Sequence, residues 1–232
     1  MTDEPTPTPE PAPKKKRARS AQDQKTVNTL NERRTSLTAV LDNADAASLI
    51  APRGYDQAGL GEGLTLSDAV QAAFTARQLA KDTSDAAFDT LDAADLAVRA
   101  SLKGFRRIAG GVFQANSAAR ATLNLSARIP DDRQKLIGLA ETTYQAALSR
   151  STYLAAVSKR GYNEAALNAE LDKVAALHAA EAAYLEADQA ATRATAQRKG
   201  AAKAFDVWWK EFTATAGVAF QGRSDLLGLL GL

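Results

Sequence analysis

His178 is the single histidine of the chain, with Glu181 one helical turn on and Glu170 two turns back, a spacing that sets an imidazole beside carboxylates on one helix face. Such a face binds a metal weakly or orients a ring. A di-iron bundle, however, needs two Glu-x-x-His pairs, and a Ser-His-Asp relay needs a nucleophile on a G-x-S-x-G or S-x-x-K turn. Neither pattern occurs, so His178 reads as a helix-boundary residue. There is no Cys, and Met occurs only at position 1, which excludes thiol nucleophiles, disulfides, thiolate zinc sites and iron-sulfur clusters. Gly59, Gly61 and Gly63 alternate as in a phosphate cradle, yet no P-loop lysine follows and no strand precedes them, so they read as a linker. Asp82, Asp85, Asp89, Asp92 and Asp95 form an acidic ladder on one helix. Coordination demands ligands converging from several segments, so the ladder reads as a solvated face. Asp95 differs, because it falls on an apolar seam and predicts either a register-setting role or a pairing with Arg99. No catalytic, cofactor-binding or metal-ligating residue is assigned, and no cofactor is expected.

Two features point to binding. Trp208 and Trp209 are adjacent, so on a helix they project about 100° apart and cannot both face one core. One is expected to anchor the bundle and the other to mark a partner-binding patch. The run Lys14, Lys15, Lys16, Arg17 and Arg19 follows prolines at positions 5, 7, 9, 11 and 13, which predicts an extended, disordered tail over residues 1–20. The tail holds the whole formal excess of +2, leaving the rest of the chain neutral. Its basic run reads as a solubilising leader or as an electrostatic contact to nucleic acid or an anionic membrane. A nuclear import signal is a further reading in a eukaryotic setting. The start is acidic, proline-rich and polar, unlike a secretory signal, and no apolar run approaches the roughly 18 to 20 residues that span a bilayer, so a cytoplasmic protein is expected.

The elements that position these residues are helical. Of 232 residues 51 are Ala, 45% are apolar and only 6% aromatic, the composition of closely packed long helices. Shifting the chain by 107 residues sets Arg53-Gly54-Tyr55 over Arg160-Gly161-Tyr162, and Lys103, Phe105, Ala109, Gly110, Phe113, Gln114 and Ser117 over Lys210, Phe212, Ala216, Gly217, Phe220, Gln221 and Ser224. In residues 53–125 against 160–232, 23 of 73 positions are identical, and the 13 that are not Ala pairs cluster at the two ends of the unit. This predicts two tandem αα-hairpin repeats, about 21–125 and about 131–232, packed with approximate two-fold symmetry into an elongated four-helix bundle over 21–232.

In the first repeat Val27, Leu30, Leu37, Leu41 and Ala44 give a helix stripe over about 21–51, ended by Pro52 and Gly54. Ser67 and Asp68 are expected to cap a long second helix. In it Phe88, Leu91, Asp95, Val98, Leu102, Phe105, Ala109 and Val112 step by three and four, a coiled-coil seam. The second repeat offers Leu136, Ala140, Tyr144, Ala147, Ser151 and Leu154 over about 131–159. Its long helix over about 163–221 runs through Leu167, Leu171, Val174, Leu185, Phe205, Trp208, Phe212, Ala216 and Phe220, with a bend near Gly200 or a looser Ala-only middle expected. Ser117 and Ser224 are expected to cap short segments, the second of which, Asp225 to Leu232, folds back under one of the tryptophans.

Trp208, Glu211, Phe212, Ala216, Ala219, Phe220, Leu226, Leu227, Leu230, Gly231 and Leu232 resemble the C-terminal signature of uncharacterised bacterial all-helical bundle proteins, which end in a Trp or Tyr helix, a short polar turn and a Leu-Gly-Leu terminus. The resemblance covers about the last 25 residues and departs at Gly217, where such chains carry a basic residue. It implies a bacterial all-α protein and no activity. The expectation is a non-enzymatic structural or interaction bundle, a scaffold or adaptor for a protein partner or for a second copy of itself. The alternative is a nucleic-acid- or anionic-membrane-binding protein acting through Lys14 to Arg19.

Overall fold

The computed structural model describes residues 21–231, so the basic run Lys14 to Arg19 lies outside the described residues. Among them all regular structure is helical: α1 (Ala21–Asp42), α2 (Ala44–Ile50), α3 (Gln57–Val112), α4 (Ser117–Thr122), α5 (Arg133–Ser149), α6 (Ser151–Ser158), α7 (Glu164–Ala219) and α8 (Ser224–Leu227), with short 3-10 turns at Ala51–Arg53 and Gly228–Leu230. No helix among them is long and apolar enough to cross a membrane.

Eight helices stand where four were expected, and each difference has a local cause. The first helix breaks at Asn43, whose extended backbone (φ −96°, ψ 107°) lets its side chain accept from the Ala46 amide at 3.0 Å and start α2 afresh. Its counterpart breaks at Arg150 (φ −114°, ψ 108°), which leaves Ser151 exposed and turns Tyr153 and Val157 inward instead. Gly59, Gly61 and Gly63 form no linker; they are the opening turns of α3. The cap of α3 is Asp56, which accepts from the Gly59 amide at 2.9 Å, not Ser67 or Asp68. Ser67 is buried at 1% exposure and sits inside the helix. Asn163 caps α7 in the same way, accepting from Ala166 at 2.8 Å. The caps of the two short helices also fall one residue before the expected serines, at Asn116 and Arg223. Helical hydrogen bonding in α7 runs on through Gly200, over 56 residues from Glu164 to Ala219.

Contacts divide the chain into two compact units. The first takes residues 21–71 and 201–231, that is α1, α2, the start of α3, the end of α7, and α8 with its 3-10 turn. Its core is Leu37, Val40, Ile50, Leu60, Phe212, Ala216 and Phe220, each at most 1% exposed. The C-terminal 3-10 turn packs on α1. Arg33 pairs with Asp206 and Arg34 with Asp68, while Arg223 ties Asp45 (3.3 Å) to Asp225 (2.8 Å).

The second unit, residues 72–200, buries the α3 seam as expected at Leu91, Val98, Leu102, Phe105 and Ala109 against Leu136, Ala140, Tyr144 and Ala147 of α5 and Leu167, Val174 and Leu177 of α7. Leu185 departs from its expected stripe and is 55% exposed, because Tyr184 turns toward Phe88 instead. Asp95 pairs with Arg99 at 2.6 Å, and the same guanidinium donates to the carbonyls of Pro130 (2.6 Å) and Asp131 (3.0 Å). One helical heptad on, buried Arg106 donates to the carbonyls of Asn124 and Ala127. Two arginines of α3 thus fasten the irregular link between α4 and α5, whose carbonyls have no ladder to satisfy them.

Candidate functional site

In the second unit three helices converge polar groups on one point. α3 brings Ser101, α5 brings Tyr144 and α7 brings Glu170 and Lys173. The Ser101 hydroxyl donates its one hydrogen to the Glu170 carboxylate, so Tyr144 must be the donor in the 2.6 Å contact between its hydroxyl and Ser101 Oγ. Lys173 Nζ donates to the same carboxylate at 2.7 Å. The result is a relay from Tyr144 through Ser101 to Glu170, neutralised at its outer end. Burial pushes the Tyr144 phenol far above the ordinary tyrosine value; the Ser101 hydrogen bond opposes the shift, and the Glu170 charge adds to it. Burial and then Glu170 raise Tyr162 as well.

A serine held by a carboxylate is the beginning of a nucleophile. Ser101, however, lies within the continuous helix α3, where neighbouring amides are committed to the i−4 carbonyls and none is left to receive an oxyanion. Tyr144 is fully enclosed at 0% exposure. This geometry holds three helices in register and keeps a phenol protonated. The sequence reading missed this trio, although its signal was present. At the positions 107 residues away stand Trp208 for Ser101, Leu37 for Tyr144 and Gly63 for Glu170.

In the first unit two of those counterparts, Trp208 and Gly63, are in contact, and the third, Leu37, is buried. Trp208 lies against Gly63 so closely that a Cβ added there would sit 2.2 Å from the ring. Tyr55 meets Trp208 edge-on at 5.7 Å. Trp208 is 8% exposed and is the packing member of the pair, so it offers little surface to a partner. Trp209 is half-buried, with the Arg33 guanidinium 5.6 Å from its ring. Arg33, Lys25, Thr29, Leu30, Val70 and Phe205 line a cleft of about 210 Å³.

The remaining candidates stay apart. His178 is exposed on α7. Asp82, Asp85, Asp89 and Asp92 are exposed on α3, and Asp82 accepts from Gln78 at 2.8 Å. Among the described residues no three His, Asp or Glu side chains converge as metal ligands would. No protein-family model, curated protein or solved structure matches this chain.

Proposed function

We propose that the chain is a non-enzymatic, cytoplasmic interaction protein, a scaffold or adaptor whose two compact units are built from two copies of one αα-hairpin. The repeat reading is supported by reciprocal contacts. Tyr55 of the first copy packs edge-on to Phe212 of the second at 5.3 Å, and Tyr162 of the second packs edge-on to Phe105 of the first at 5.1 Å. Both tyrosines follow a left-handed glycine, Gly54 at φ +90° and Gly161 at φ +93°. The long helices begin and end 107 residues apart, at Gln57–Val112 and Glu164–Ala219.

One observation carries the functional reading: the groups able to do chemistry are spent on packing, while apolar groups stand at the surface. Ser101, Tyr144, Glu170 and Lys173 satisfy one another. Val207 (48% exposed) and Val218 (63%) are eleven residues apart on α7, a spacing that returns to the same helix face, and exposed Ala214 lies on that stripe between them. A partner helix laid along this stripe covers it.

The test is a photo-crosslinking side chain placed at position 207 or 218 in the native cell. A discrete crosslinked partner, lost when the other valine is changed to Asp, supports the reading. Turnover by the purified chain that disappears in Glu170→Gln overturns it.

A further inference from the structure

Within the second unit α3 and α7 pair antiparallel, as the contacts Phe88–Tyr184 (5.5 Å), Ser101–Glu170 and Phe74–Arg198 (5.0 Å) require. In such a pair the local two-fold is perpendicular to the plane of the two axes. A position on α3 and the position 107 later on α7 therefore lie on the same side of the pair. The counterpart of the Phe88–Tyr184 contact is Thr195 with Arg77, neither of which carries a ring. A cleft of about 480 Å³ opens instead, lined by Arg77, Lys81, Ala191, Thr192, Thr195 and Lys199.

The matching positions around Phe88 and Tyr184 carry carboxylates where the cleft has two lysines and a threonine. Asp188 answers Lys81, Asp85 answers Thr192 and Asp92 answers Lys199. Steps of seven connect Lys81 to Phe88, Asp85 to Asp92, and Leu185 to Thr192 to Lys199, so all belong to one stripe on each helix. Phe88 (44% exposed) and Leu185 (55%) rise from the acidic half. One side of the helix pair thus presents a cationic hollow and, next to it, an acidic prominence with an aromatic crest.

We propose that this side is a self-association surface. A second copy of the chain, turned end for end about a two-fold axis, sets its Phe88 and acidic side chains into the cleft and offers its own cleft in return. This deepens the interaction reading above, on which it rests, by naming a partner. Charge complementarity selects the second copy: the two halves are complements of each other, and a two-fold contact satisfies both at once and closes at two chains. About 20 residues of each helix form a face roughly 30 Å by 20 Å, or ~600 Å² per chain, at the lower edge of stable interfaces. The pairing is accordingly expected in the micromolar range and weakens as salt screens its charges.

The experiment is sedimentation of the full chain up to about 100 µM at low and high salt, with helicity checked by circular dichroism. Wild type moves from 24.5 kDa to twice that mass at low salt. Lys81→Glu with Lys199→Glu stays single, and so does Asp85→Lys with Asp92→Lys. An equimolar mixture of these two variants, or all four changes in one chain, restores the pair. Wild type that stays single at low salt, or reversed variants that pair as well as wild type, overturns the proposal. A single wild-type chain that still crosslinks a partner through Val207 sinks the self-association alone, and the charge-swap pattern supports it even where no crosslink forms at Val207.

Discussion

Tyr162 stands edge-on to Phe105, with ring centroids 5.1 Å apart and planes at 81°, and its hydroxyl end lies 3.5 Å from where a Cβ on Gly104 would be. The ring comes from the turn before α7 and the phenylalanine from the last third of α3, so the contact ties the opening of one long helix to the close of the other. Aromatic pairs of this geometry add about 0.5–1.5 kcal/mol beyond the area they bury. A double-mutant cycle on Tyr162→Leu and Phe105→Leu, read by urea denaturation, is expected to give a coupling of about 1 kcal/mol. The Tyr55–Phe212 cycle should give a similar figure.

Gly63 and Gly61 lie one turn-fragment apart in α3, and alanine should act on them with opposite signs. Helix propensity favours alanine over glycine by about 1 kcal/mol at an open position, and a Cβ on Gly61 meets nothing within 4 Å. Gly61→Ala is expected to stabilise by up to that amount. At Gly63 the new carbon collides with the Trp208 ring at 2.2 Å, and overpacking of about 1–3 kcal/mol wins. Gly63→Ala should lower the melting temperature, and the loss should be smaller in a Trp208→Leu background.

Tyr144 makes the fold sensitive to alkali. Burial raises its phenol above the ordinary value of 10.0, so the folded chain binds that proton more tightly than the unfolded chain does. The stability this contributes is complete below pH about 10 and is lost as pH rises toward the folded value. Tyr55 and Tyr162 are shifted in the same direction, burial first in each case. Denaturation midpoints measured across this range should fall with rising pH. Tyr144→Phe should cost about 1 kcal/mol at neutral pH, for one lost hydrogen bond, and flatten the alkaline slope.

Arg106 is buried and holds two carbonyls of the α4–α5 link, one of them that of Asn124, which has a positive φ of 52°. Arg106→Met keeps much of the volume and removes both donors. Stability should drop by about 1–3 kcal/mol, and amide exchange should speed up at Leu125 and Ala127 ahead of the α3 seam.

How much of this was legible in the sequence depended on whether the cause was local. The seam from Leu91 to Ala109 was legible because burial recurs at three and four residues, and Gly54 and Gly161 because a left-handed turn asks for glycine. The role of Gly63 was not, since its reason is an indole 145 positions further along the chain. The breaks at Asn43 and Arg150 lack the Pro or Gly that marks a helix end in sequence. The trio Ser101, Tyr144 and Glu170 is scattered over three helices, and only comparison of the two halves isolates it, as a polar set where the other half is apolar.

The first unit joins residues 21–71 to residues 201–231, and this sets an order on synthesis. While the chain is being made, α1 and α2 emerge with Leu37, Val40 and Ile50, but Phe212 and Phe220, which share their compact unit, follow only after residues 72–200. Residues 72–200 can close earlier, because everything they need has by then left the ribosome. A message that stops short of codon 201 therefore yields a product with one finished end and one sticky end, a natural target for chaperones and proteases.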